Sequence, residues 1–378
     1  MTYLQTLHLQ NFRSYQELSL DQIEPKNIIL FGANGAGKTN ILEALSLLAP
    51  GRGLRQSKNK DLQKHGTFKS MPWTVSSRLK THHGLAQIGT ARDALKDKRL
   101  IRINGEDVRT QGALSEWLSC LWLTPQMDRL FLDDKSSRRR FFDRLAYTFD
   151  PAHMGRLTRY ENAVRQRMKL LKEGQNDPSW FTGLEAQIAE AGIAISATRY
   201  NFCQKLQKAY HSATDEEKSH FPSAKLSIEG DVEKILEQQS ALEAEEQFQK
   251  KLERSRAQDA QNGTTHFGSH RSDFVTIYSD KNMPAAQCST GEQKAMLIGI
   301  ILAHARLLKE EKHSAPLLLL DEIVAHLDPN RRRILAGILE NYSSQVWMTG
   351  TDRSLFKDFD SQSSYFSVSE SSVSVFSA

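Results

Sequence analysis

The spacing of apolar and polar residues changes period several times along this chain, and each change predicts a new element. Tyr3 to Gln10 places Leu4, Leu7 and Leu9 among polar neighbours, as a half-buried strand does. The polar corner Asn11-Phe12-Arg13-Ser14-Tyr15 interrupts it, and Gln16 to Leu20 resumes the alternation. A third, wholly apolar run ends at Ile29-Leu30-Phe31, so the three predict an N-terminal sheet. Ile41, Leu42, Ala44, Leu45, Leu47 and Leu48 then switch to helical spacing. Three strand-like pieces follow, Trp73 to Leu79, Leu85 to Gly89 and Arg99 to Ile103, the last ending at the hairpin dipeptide Asn104-Gly105. They predict an antiparallel meander attached to that N-terminal sheet. Leu121 to Met127 reads as a strand stopped by Pro125.

From about Pro151 to Ala260 the three- and four-residue spacing of Leu157, Tyr160, Val164, Met168, Leu171, Leu184, Ile188 and Ile195 predicts an all-helical block. Val232 to Arg256 is its third helix, and Gly174 to Pro178 and Phe221-Pro222 are turns. Val275 to Tyr278 is a short strand, Met296 to Leu308 an apolar helix, and Pro316 to Leu320 a buried strand of the parallel type. Gln345 to Thr349 gives one more strand. The pattern divides the chain into an α/β lobe, residues 1–120 with 315–378, and a helical lobe, residues 121–314.

Composition narrows the function classes. The chain has 378 residues, 39% hydrophobic and 25% charged, as a globular protein does. No apolar run approaches the roughly 18 residues of a membrane span, and the first twenty residues carry no signal pattern. Cys120, Cys203 and Cys288 are scattered without metal-ligand spacing, which points to reduced thiols and a cytoplasmic location. A net charge of +5 permits nucleic-acid binding without establishing it.

The chemistry starts at Gly32-Ala33-Asn34-Gly35-Ala36-Gly37-Lys38-Thr39-Asn40, set between the apolar strand and the first helix. This G-x-x-x-x-G-K-T turn lets backbone N–H groups and a helix N-terminus cradle phosphates. Lys38 would reach the β- and γ-phosphates, and Thr39 would give its hydroxyl to Mg²⁺. The expected ligands are therefore a nucleoside triphosphate, which the resemblance drawn below implies is ATP, and Mg²⁺. Arg13 is read either as a solvated loop charge or as a further nucleotide contact.

Downstream, Leu317-Leu318-Leu319-Leu320-Asp321-Glu322 ends a buried strand on two carboxylates, which an open parallel sheet brings beside the phosphate loop. Asp321 would serve the Mg²⁺ shell, and Glu322 would act as general base. Ser289-Thr290-Gly291-Glu292-Gln293 opens a helix; by itself it reads as a capping box or as a second anion site.

Taken together and in this order, these motifs resemble an ATP-binding-cassette ATPase. The opening Leu7-x-Leu9-x-Asn11-Phe12-Arg13-Ser14-Tyr15, Gly51-Arg52-Gly53-x-Arg55, Arg139-Arg140 with Phe142 and Asp143, and Gly268-x-His270-Arg271-x-Asp273 are similar to the RecF family of bacterial recombination mediators. The resemblance implies an α/β fold of the ABC-type ATPase head, a mixed sheet with the phosphate loop and a meander, and an inserted helical lobe. It implies that Gln126 senses Mg²⁺ and the γ-phosphate. Ser289, Gly291 and Gln293 are implied to contact ATP on a second copy, and Asp328 to cross the interface. An ATP-dependent homodimer follows. DNA at gaps and single-strand/double-strand junctions, and RecR, RecO and RecA, are the partners implied. Arg52, Arg55, Lys58, Lys60, Arg138, Arg139 and Arg140 are candidate phosphate contacts. After the last strand stands Gly350-Thr351-Asp352, where many cassettes carry a switch histidine, so slow hydrolysis is expected. A transporter-type cassette subunit, an SMC-type head and a small-molecule kinase are the competing classes. The helical block is too short for SMC arms at 1.5 Å per residue, and a kinase leaves the Ser-Thr-Gly segment without a role.

Overall fold

The computed structural model describes residues 2–66, 71–175, 177–214 and 220–376. Two units make up the chain: residues 1–128, 213–221 and 297–378, and residues 129–212 and 222–296. The sequence pattern had set these divisions near 120 and 315.

The first unit contains two sheets. In one, the strands run Ser372–Phe376, Ser363–Ser369, Asn27–Phe31, Val346–Gly350, Leu317–Leu320, Cys120–Leu123. All are parallel except Ser372–Phe376, which returns as a hairpin at the edge. The central strands are apolar through their whole length because both faces are covered. Leu320 pairs with Leu123 and Met348, and Gly350 with Phe31, so four strands present their carboxyl ends along one rim.

The other sheet has seven antiparallel strands. Leu7–Phe12 pairs with Tyr15–Leu20 and with Thr74–Thr81, which continues through Gly84–Arg92 and Arg99–Ile103 to Glu106–Asp107. Here the structure corrects the expected N-terminal sheet: the alternating first strands belong with the meander, and Asn27–Phe31 belongs to the parallel sheet. The reason is burial. Leu7–Phe12 has one polar face to show to solvent, whereas a strand with four consecutive buried residues has none. The hairpin at Asn104-Gly105 is as expected, with φ of 52° and 88° at the two residues, the type I′ geometry that suits a right-handed strand twist. Leu9, Phe12 and Trp73 from the meander share one core with Ile28, Leu319 and Trp347 from the parallel sheet and Ile41 and Leu45 from the helix Lys38–Ser46.

The second unit holds the helices Lys135–Phe149, Ala152–Lys172, Pro178–His211, Asp231–Gln238 and Ala241–Asn262. It is not helical throughout. Ala224–Glu229 pairs with Asp273–Tyr278, which pairs with Met283–Pro284. Ala224, Leu226 and Ile228 alternate with exposed Lys225 and Glu229, a six-residue period-two signal hidden between longer helical runs. The third predicted helix is likewise two, divided where Ser240 and Glu243 form a capping box.

The carboxyl end of the phosphate-loop helix is pinned by one side chain. Arg99 donates to the carbonyls of Leu47, Ala49 and Gly51 and to Thr90 Oγ1, and burial pulls its pKa down to about 10. The cation beside the C-cap carbonyl of Leu47 compensates the negative end of the helix dipole, and its bonds to Ala49 and Gly51 fix the segment that follows the helix. Arg99→Met is therefore expected to lower stability by about 3 kcal/mol, read as the urea midpoint of the full chain. An unchanged midpoint would show that these carbonyls find water instead.

Candidate nucleotide site

The loop from Gly32 to Gly37 owes its path to glycine at two positions. Gly32 has φ of 153°, and a Cβ there would lie 2.1 Å from the Val368 carbonyl oxygen. Gly37 has φ of 111°, and a Cβ would lie 2.6 Å from the Tyr15 hydroxyl. The loop is braced on both flanks, by Gly32 N–H on the Gly350 carbonyl at 3.3 Å and by Ser371 N–H on the Ala36 carbonyl at 3.2 Å. The helix that follows has neither a side-chain cap nor an acidic residue in its first turn. Asp134, Asp177, Ser240 and Asp328 cap other helices of the chain. An uncapped N-terminus behind a glycine loop fits an anion.

Lys38 is buried, and its Nζ donates to the carbonyls of Gly32 and Ala33 at 2.7 and 2.8 Å. Burial lowers its pKa, while the charges of Glu322 and Asp321 act in the opposite direction. Thr39 Oγ1 donates to Asp321 Oδ1 at 2.9 Å across 282 residues of sequence. Asp321 is buried, and desolvation raises its pKa against the hydrogen bonds that lower it. A hydroxyl and one carboxylate suit Mg²⁺, which keeps several waters and takes phosphate oxygens for its other ligands. The residues therefore fit both a triphosphate and its cation, Thr39 and Asp321 being the groups that would hold the metal.

Glu322 adopts φ of 54°, in the left-handed region, and donates its N–H to Thr349 Oγ1 at 2.9 Å. Such a conformation costs on the order of 1 kcal/mol or more and is concentrated at functional sites. Thr349 in turn donates to Asp321 Oδ1 at 2.8 Å. Sequence reasoning stopped at Thr349 only as the end of a strand. The signal was present, a hydroxyl at the carboxyl end of a strand neighbouring Asp321, but the pairing of the two strands was needed to read it. Beyond it Asp352 caps a 3₁₀ segment by accepting from Ser354 N–H at 2.7 Å.

Gln126 is exposed on a 3₁₀ turn, Pro125–Arg129, that follows the strand Cys120–Leu123 at the same rim. Arg13 is neither solvated nor placed on the loop. It forms a two-pronged ion pair with the fully buried Glu43, at 2.8 and 2.7 Å, and donates to Ser57 Oγ and the Asp61 carbonyl. Arg55 shares Glu43 and also donates to Asn40 Oδ1 at 2.9 Å, while Asn40 donates to Ser14 Oγ. Asp328 accepts from Arg331 N–H at 3.0 Å as the cap of the helix Pro329–Glu340, and that bond lowers its pKa.

The second unit carries the other predicted segment. Ser289 and Glu292 form the capping box: the Ser289 N–H and Oγ–H both donate to Glu292 Oε2 at 2.9 Å, and Glu292 N–H approaches Ser289 Oγ at 3.4 Å. Ser289 and Gly291 are exposed; Gln293 is buried and donates to the Cys288 carbonyl at 2.9 Å. Among the candidate basic contacts, Arg138 is paired with Asp273 through two bonds, at 2.8 and 2.7 Å, and Arg139 donates to the Ser272 carbonyl. Arg52, Lys58 and Lys60 are exposed.

This fold, with its parallel sheet, phosphate loop and acidic strand end, is that of an ABC-type ATPase head. A family model described as the RecF/RecN/SMC N-terminal domain matches residues 3–374. The SMC head of Pyrococcus furiosus, solved with the C-terminal domain of ScpA, superposes with a TM-score of 0.55 at 16% identity, covering 100% of this chain and 96% of that one. Within the class the match is closer. The chain is 42% identical over 374 residues to the DNA replication and repair protein RecF of Mesorhizobium japonicum, covering 98% of this chain and 97% of the relative. It is 43% identical to that of Brucella suis over 371 residues, or 97% and 94% of the two chains. A structure described as the recombination mediator protein RecF-ATPrS in the RecFOR pathway superposes with a TM-score of 0.87 at 22% identity, covering 100% of this chain and 98% of that one. The chain belongs to the RecF family. Among the described residues no helix is long and apolar enough to cross a membrane.

Thr349→Val removes the hydroxyl that joins Asp321 to Glu322 while keeping the shape. Mg²⁺-dependent hydrolysis is expected to fall about 10- to 100-fold, with Thr349→Ser near the parent rate in a phosphate-release assay. Equal rates for Val and the parent would remove Thr349 from the site.

Proposed function

We infer that this chain is an ATP-dependent DNA-binding protein of recombinational repair and replication maintenance, a slow ATPase whose two copies close on ATP. The observation that carries the reading is the convergence of Lys38, Thr39, Asp321, Glu322 and Thr349 on one rim of the parallel sheet. Relatives named for DNA replication and repair, and solved relatives described as RecF-ATP and RecF-ATPrS, support the ligand and the setting.

In this reading the loop N–H groups and Lys38 hold the triphosphate. Mg²⁺ on Thr39 and Asp321 supplies charge neutralisation at the phosphates. Glu322 orients and deprotonates the attacking water, and Gln126 senses the γ-phosphate. Arg13 and Asn40 support the loop from the Glu43 side. Ser289, Gly291 and Gln293 act on the nucleotide of the second copy, and Asp328 reaches across the same interface. The closed pair binds DNA at gaps and single-strand/double-strand junctions through phosphate contacts, for which exposed Arg52, Lys58 and Lys60 are the first candidates. RecO and RecR act with it to help load RecA.

Size measurement with and without ATP, and with a gapped duplex, tests dimerisation and DNA coupling together. A monomer under every condition would refute the reading. Lys38→Ala should weaken ATP binding roughly 100-fold, through loss of charge-assisted phosphate contacts. Glu322→Gln should retain ATP and remain dimeric because turnover is blocked. Normal hydrolysis by Glu322→Gln would exclude it as the base.

A further inference from the structure

Ser289, first residue of the segment Ser289–Gln293 that opens the helix Thr290–Lys312 (hereafter the signature segment), is not held by its own helix alone. Glu292, which accepts from both donors of Ser289, also accepts from Lys281 Nζ, at 2.6 Å from Oε1. One carboxylate thus has one oxygen on Ser289 and the other on a lysine eleven residues upstream. Lys281, then the Ser289 amide and hydroxyl, hold the Glu292 carboxyl down at about 2, so it is fully charged at neutral pH.

Lys281 is placed by local geometry. Tyr278 and Met283 are paired across the hairpin that joins Asp273–Tyr278 to Met283–Pro284, and residues 279–282 form its four-residue loop. Asn282 donates its N–H to the Ser279 carbonyl at 3.2 Å and takes φ of 45°. This turn directs Lys281 over the Tyr278 ring, 5.5 Å from its centroid, and onto Glu292. Everything in this arrangement lies in the second unit, and Lys281 and Ser289 both face solvent.

The consequence is electrostatic. A γ-phosphate approaching Ser289 needs the two donors that Glu292 occupies, and it meets a carboxylate at the same place. Unpaired, that carboxylate would repel the phosphate; paired with Lys281, it is neutralised and can be drawn aside. We propose that Lys281 is a positioning residue for the signature segment: it neutralises Glu292 and holds it ready to release the Ser289 N–H and Oγ–H to the γ-phosphate of ATP bound by a second copy of the chain. The proposal rests on the two-copy reading above.

The test is ATPγS-dependent association of the full chain, followed by sedimentation. Lys281→Met is expected to raise the dimer dissociation constant about tenfold, the effect growing at low salt where the bared charge is less screened. Lys281→Met/Glu292→Gln should return to within about threefold of the parent, because the amide keeps the cap without the charge. Affinity of the monomer for a fluorescent ATP analogue should stay within about twofold in both, and Lys281→Arg, which keeps the positive charge on Glu292, should associate within about threefold of the parent. Ser289→Arg separates the two ideas. If it associates normally, the two-copy reading fails and the proposal with it. If Ser289→Arg fails to associate while Lys281→Met matches the parent, the role of Lys281 alone is overturned. A double variant as weak as Lys281→Met also overturns it, since the Glu292 charge would then not be the obstacle.

Discussion

The first unit is organised around a carboxylate that cannot be left alone. Asp321 is buried at the end of an apolar strand, and a buried carboxylate without partners is costly enough to be neutralised by a proton. Thr39 and Thr349 supply the partners, one from the phosphate-loop helix and one from the adjacent strand. That requirement fixes the helix start and the strand end against the strand of Asp321. Parallel pairing brings the three together, and the glycines of the loop let the chain turn from strand to helix within the same space.

The second unit solves a larger version of the same problem. Arg167 is wholly buried and bonded to Glu185, Asp259 and the Leu252 carbonyl; Arg199 is buried against Asp143, which also meets His153. Asp143 is held at about 2, burial raising its pKa and the charges and hydrogen bonds of Arg199 and His153 lowering it further than burial raises it. Removing one member of such a set leaves a buried charge uncompensated, so each set imposes a particular helix register. These helices and the small sheet they cover, Ala224–Glu229 with Asp273–Tyr278, present the turn from which Lys281 reaches the signature segment. Arg138 and Asp273 tie the start of that strand to the helix Lys135–Phe149. Two of the arginines named as candidate phosphate contacts, Arg138 and Arg139, are thereby engaged inside the unit.

How much was legible follows from the range of each interaction. The phosphate loop, the strand ending in Asp321-Glu322, the capping box at Ser289 and the hairpin at Asn104-Gly105 are set by neighbours within about a turn, so residue type and spacing determine them. Family membership was legible for the same reason, through local motifs in a fixed order. Tertiary structure alone decided which sheet the first strands join, and that Arg13 answers to Glu43. It alone placed Thr349 between Asp321 and Glu322, and Ala224–Glu229 as a strand inside a helical stretch. These depend on partners 28 to 30 residues away or more, such as Arg13 with Glu43 and Thr349 with Asp321. Desolvation makes such partners obligatory without saying in advance which they are; only the packed chain selects among the carboxylates, hydroxyls and strand edges that satisfy them.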